Sequence, residues 1–67
     1  MKYLVIGLGS MGKRRIRNLI ALDCDNIAGF DIRSDRRDYS NNEYNIVTFK
    51  SLKDAINKFN PDVFIIS

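Results

Sequence analysis

Four short apolar runs, separated by amphipathic or polar stretches, organise this chain of 67 residues. Residues 2 to 6 are continuous, apolar and short, the pattern of a buried parallel strand. From Met11 to about Leu22 the apolar positions Met11, Ile16, Leu19, Ile20 and Leu22 follow one helical face, and Lys13, Arg14, Arg17 and Asn18 occupy the other. Asp23 and Asp25-Asn26 mark the turn out of that helix, and Ile27 to Phe30, ending at Asp31, reads as a second strand. Asn45 to Phe49 reads as a third and Val63 to Ile66 as a fourth. Between them, Ser51 and Asp54 have capping-box spacing, and Leu52, Ala55, Ile56 and Phe59 recur at helical intervals until Asn60-Pro61 stops the pattern. The segment from Ile32 to Tyr44 is polar. It predicts a surface loop with at most one or two helical turns near Ser34 to Ser40, and Asn41-Asn42 would end them.

Strands alternating with helices through short connections predict an α/β fold with an open parallel sheet in the order 3-2-1-4. The first helix should cover one face of that sheet and the second helix the other.

Candidate chemistry sits where the first strand meets the first helix. Gly7-Leu8-Gly9-Ser10-Met11-Gly12 is a G-x-G-x-x-G run flanked by strand and helix, the context a dinucleotide-binding turn requires. Gly7 permits the tight turn, Gly9 permits close backbone approach by a pyrophosphate, and Gly12 permits tight packing of helix on sheet. The amides of the helix N-terminus and its dipole then face the phosphates. Asp31 lies 19 positions beyond Gly12 at the end of the second strand, where an acidic residue accepts the adenosine ribose hydroxyls. Ile32 and Arg33 follow near the adenine, and Ser67, at the carboxyl end of the fourth strand, falls at the switch point of the sheet. These features imply the first half of an NAD(P)-binding Rossmann fold across residues 1–67. A carboxylate at position 31 favours NAD over NADP, since it would repel a 2′-phosphate; Arg33, two residues on, leaves NADP open.

Charge changes this picture little. Residues 1 to 20 hold five bases and no acid, while residues 21 to 67 hold eight acids against six bases. The basic cluster begins just after the glycine turn, which suits phosphate. No aromatic residue lies alongside its arginines, which argues against nucleic acid. The chain has no histidine, and its lone Cys24 reads as an apolar filler, consistent with a reducing compartment and with no expected metal site. There is no signal-peptide h-region and no apolar stretch of membrane-spanning length. The expectation is a soluble, cytoplasmic protein with no membrane partner.

The stretch from Ile6 to Leu19, Ile6-Gly7-Leu8-Gly9-Ser10-Met11-Gly12-Lys13-Arg14-Arg15-Ile16-Arg17-Asn18-Leu19, resembles the amino-terminal motif of the Gfo/Idh/MocA oxidoreductases. Asp31, the Ser51-Leu52 helix start and the Pro61-Asp62-Val63-Phe64-Ile65-Ile66-Ser67 run match in order. The resemblance implies NAD or NADP bound by Gly7, Gly9, Ser10, Met11, Gly12 and Asp31. It also implies hydride transfer on a sugar-like or polyol substrate in the parent enzyme. Family members often carry His at the position of Arg15, and their Glu-Lys-Pro motif and substrate domain do not occur in these residues, so no catalytic residue carries over. The 6-phosphogluconate and hydroxyisobutyrate dehydrogenases open with a similar glycine motif, but Asp31 speaks against them. A non-catalytic nucleotide-binding module or sensor, and a segment that binds nothing by itself, stay open as alternatives. The outer edge of the fourth strand is expected to be bare, which predicts self-association through Val63 to Ile66.

Overall fold

A computed structural model describes all residues from Met1 to Ser67. Strand β1 (Tyr3–Ile6) leads into helix α1 (Ser10–Ala21), β2 (Ile27–Phe30), α2 (Ser34–Tyr44) and β3 (Val47–Phe49). A single α-turn, α3 (Leu52–Asp54), widens into a π-helical stretch (Ala55–Phe59) before β4 (Val63–Ile66). The four strands form one parallel sheet in the order β3-β2-β1-β4. The chain is thus α/β with the strand order that the pattern predicts.

The apolar residues divide between the two faces of the sheet. On one face Val5, Leu8, Ile16, Leu19, Ile27 and Ile46 form a buried cluster beneath α1, edged by Tyr3, Cys24, Tyr44 and Ile65. On the other, Leu4, Ala28 and Ala55 are buried, with Ile6, Phe30, Phe49 and Phe59 packed around them. The first and last helical segments therefore cover opposite faces. Only 13 of the 67 residues are buried, so the core is thin and each packing defect weighs heavily.

Three expectations need correction. The polar segment after β2 is an 11-residue helix, α2, rather than a loop. Contacts distant in sequence hold it there. The Lys13 ammonium lies 3.9 Å from the centre of the Tyr39 ring, and Arg17 donates a 3.0 Å hydrogen bond to the Tyr44 hydroxyl. Asn45, with φ of 55°, caps its end in the left-handed conformation that asparagine tolerates. Asn41 does not end the helix; its side-chain amide donates to the Ile46 carbonyl at 2.8 Å. The helix also brings two aromatic rings beside the basic face of α1, where the sequence alone shows none.

The second correction concerns the last helix. Its expected apolar stripe is broken by the π-helical stretch, which shifts the phase of the side chains. Ala55 is buried and Phe59 half-buried, but Leu52 and Ile56 are exposed. Ser51 does cap it, accepting from the Asp54 amide at 3.3 Å. Finally, α1 buries Ile16 and Leu19, while Met11, Ile20 and Leu22 from the expected face are exposed.

One polar atom in this core has no partner. Ser40 is fully buried within α2 and its hydroxyl makes no hydrogen bond. A buried hydroxyl without a partner costs about 1–3 kcal/mol, and alanine is the better helix former. Ser40→Ala is expected to raise stability by about 1 kcal/mol in urea unfolding; a lower unfolding midpoint would contradict this account.

Candidate functional site

The carboxyl ends of parallel strands gather the chain's reversals on one edge of the sheet, and the candidate residues lie there. Gly7 leaves β1 with φ of 96°, a conformation costly for any residue with a side chain. Its amide donates to the Phe30 carbonyl at 2.8 Å, continuing the ladder one step past β1. A Cβ on Gly12 would overlap the Gly7 carbonyl oxygen, so the first turn of α1 can seat against the turn only without a side chain at that position. The Ser67 hydroxyl lies 2.8 Å from the same carbonyl oxygen and 3.0 Å from that of Ile6, buttressing the turn from β4.

Asp31 locks the turn from β2. It is 8% exposed. One carboxylate oxygen, Oδ2, accepts the Leu8 amide at 2.8 Å, and the other, Oδ1, accepts the Arg33 amide at 2.9 Å. Two of the roughly four acceptor positions of the carboxylate are thereby used inside the protein. Burial by itself would raise the pKa of Asp31. The Leu8 and Arg33 amides and the nearby Arg36 guanidinium outweigh burial and hold the carboxyl below its ordinary value.

The first-turn amides are not spent in this way. The Gly9, Ser10, Met11 and Gly12 amides donate to no group of the chain; the first helical bond runs from the Lys13 amide to the Gly9 carbonyl at 2.9 Å. The open end of these amides is a cleft of about 210 Å³ lined by Gly7, Gly9, Ser10, Met11, Gly12, Arg36 and Ser67. That volume is below the 300–1,000 Å³ typical of small-molecule pockets. The cleft matches a diphosphate rather than a whole dinucleotide. Unspent amides, a turn that admits no side chain at its helix seat, and an arginine make a donor set that fits such a group.

Six of the ten residues singled out in the sequence thus meet at the cleft. Leu8 contributes its backbone to Asp31 while its side chain is buried in the core. Asp31 stands behind the turn. Ile32 is 81% exposed beyond it. Arg33 points away, its guanidinium forked onto the Asp35 carboxylate with contacts of 3.1 and 2.7 Å. That pairing raises the pKa of Arg33 and lowers that of Asp35. The residue that sequence reasoning missed is Arg36. Its position in the first turn of α2 carries it to the cleft, a placement invisible while the segment reads as a loop.

Compared with protein-family models, curated proteins and solved structures, the chain matches none of them.

A depressed carboxyl pKa in the folded state stabilises the fold above the unfolded value, near 3.9, and that contribution is lost as pH falls through the lower folded value. Unfolding free energy is therefore expected to fall from about pH 5 downward. Asp31→Asn should be less stable near neutrality and show a shallower acid slope. Denaturant unfolding across that range reads both, and equal slopes in the two proteins would remove Asp31 from this role.

Proposed function

We propose that residues 1–67 form the first half of an NAD(P)-binding Rossmann fold, resembling the amino-terminal segment of a Gfo/Idh/MocA oxidoreductase. The observation that carries the reading is the row of four unspent amides at the mouth of the glycine turn, backed by a buried carboxylate at the end of β2. Gly7, Gly9, Ser10, Met11 and Gly12 would hold the cofactor's diphosphate, and Asp31 its adenosine ribose. When bound, the cofactor supplies hydride chemistry, and this segment supplies position and electrostatics. In the whole enzyme the reaction would be hydride transfer on a sugar-like or polyol substrate.

A second reading, a non-catalytic nucleotide-binding module, is favoured by one observation. The cleft is lined by glycines, Ser10, Met11, Ser67 and Arg36, with no carboxylate, imidazole or amine side chain among them to move a proton. Both readings require nucleotide binding, and turnover assays on the full gene product separate them.

Asp31 repels a 2′-phosphate, so NAD is the preferred cofactor in this reading. Titration followed by nicotinamide fluorescence should show saturable binding, tighter for NADH than for NADPH. Asp31→Asn removes the negative charge and should narrow the ratio between the two. No saturation at millimolar NADH would end the dinucleotide reading.

The outer edge of β4 pairs with no strand of the chain, and Phe64 and Ile66 are 47% and 76% exposed. Unpaired strand edges with apolar side chains recruit further strands, and in this proposal the recruit is a second copy. Light scattering should show mass rising with concentration, and Ile66→Lys should suppress the rise. A strictly monomeric mass at high concentration would exclude pairing along β4.

A further inference from the structure

Three arginines on the segment from β2 into α2 share one neighbourhood but not one fate. Arg33 is forked onto Asp35. Arg37 donates to the carbonyls of Asp31 and Ile32 at 2.9 and 2.8 Å. Arg36 makes no hydrogen bond of that kind. Its nearest charged group is Asp31 Oδ2, 3.6 Å from one guanidinium nitrogen.

The Arg36 guanidinium rests against Gly9. A Cβ at Gly9 would stand 3.3 Å from one terminal nitrogen, 3.4 Å from the guanidinium carbon and 3.7 Å from the second nitrogen. A side chain at position 9 would crowd this group by a few tenths of an ångström, so the guanidinium packs directly over the bare Cα of Gly9. The guanidinium also lines the cleft onto which the unspent amides of Gly9 to Gly12 open. Two sets of donors, the unspent main-chain amides and a guanidinium held only loosely by Asp31, therefore line one cleft. No other side chain lining the cleft carries charge. Behind it, Asp31 would repel an anion if it stood alone, and Arg36 screens that carboxylate.

We propose that Arg36 is the anion clamp of this cleft: its guanidinium leaves its loose contact with Asp31 and closes on a phosphoryl group held by the Gly9–Gly12 amides. The ligand class that follows is a phosphate or diphosphate ester, gripped by its charge and oxygen geometry before any base is read. A planar fork of donors matches phosphoryl oxygens in a way a lysine cannot. The proposal rests on the nucleotide reading only for the rest of the ligand, since the clamp acts on the phosphoryl group alone.

Inorganic pyrophosphate tests the clamp without the nucleotide, and ADP-ribose and adenosine test it with and without phosphate. Amide shifts of Gly9 to Gly12 in NMR titrations, together with calorimetry, give the affinities. Arg36→Gln is expected to weaken pyrophosphate and ADP-ribose about 10–100-fold, the range for hydrogen bonds to charged groups, and to leave adenosine unchanged. Arg36→Lys should recover part of the loss. Arg36 is a partly exposed residue, so both variants should stay folded with cooperative unfolding, Arg36→Lys closer to the wild-type midpoint because it keeps a positive charge beside Asp31. Wild-type affinity for pyrophosphate in Arg36→Gln, or no pyrophosphate binding by the wild type, overturns the clamp. Pyrophosphate binding that depends on Arg36, in a protein that ignores NADH, upholds the clamp and ends the dinucleotide reading instead.

Discussion

The carboxylate of Asp31 ties together two reversals of the chain. It takes the Leu8 amide from the turn after β1 and the Arg33 amide from the turn after β2. Parallel strands leave their carboxyl ends side by side, and β1 and β2 are direct neighbours, so one short acidic side chain reaches both turns. It satisfies one amide of the glycine turn and leaves the next four open. Without it, the buried Leu8 amide would be orphaned at a cost of about 1–3 kcal/mol, and the turn would lose its fixed position against β2.

That brace sits on an asymmetric sandwich. One face of the sheet carries α1 with α2 beside it, and its cluster includes Leu8, whose side chain anchors the turn while its amide serves Asp31. The other face is covered by one short helical turn and a π-helical stretch, with Ala55 the one fully buried residue they supply. In the register of the sheet, Phe64 and Ile66 stand beside Leu4 and Ile6 on that same face, beyond the reach of the helical cover. The candidate cleft therefore belongs to the better-packed side, and the thinner side leaves Phe64 and Ile66 open.

Charge is distributed by the same geometry. The arginines of α2's first turn and its approach are sorted by what each can reach: a carboxylate two residues on, two carbonyls of the preceding turn, or the cleft. The bases of α1 are partly engaged by α2, with Lys13 over Tyr39 and Arg17 on the Tyr44 hydroxyl. These contacts use aromatic surface that would otherwise stand open beside a basic face.

Much of this was legible along the chain. The strands, the glycine turn, α1 and the strand order follow from short β-branched runs, from glycine spacing and from the short connections that force neighbouring parallel strands. Those signals are local, or follow from topology that admits few solutions. Helix α2 was not legible, because its composition carries no apolar periodicity; Tyr39 and Tyr44 find their partners Lys13 and Arg17 in α1, and Asn41 finds the Ile46 carbonyl in the turn before β3. The exposure of Ile56 was hidden for a similar reason, since a π-helical stretch displaces side chains that a regular repeat would align. Asp31 was legible as an acidic residue at a strand end, but its internal bonds to Leu8 and Arg33 depended on how the two turns meet. Sequence by itself determined the order of the strands and the turn that exposes its amides. Only the tertiary structure decided that Arg36, rather than Arg33, faces them, because the direction of an arginine is set by the helix that carries it and by the partners its neighbours have already taken.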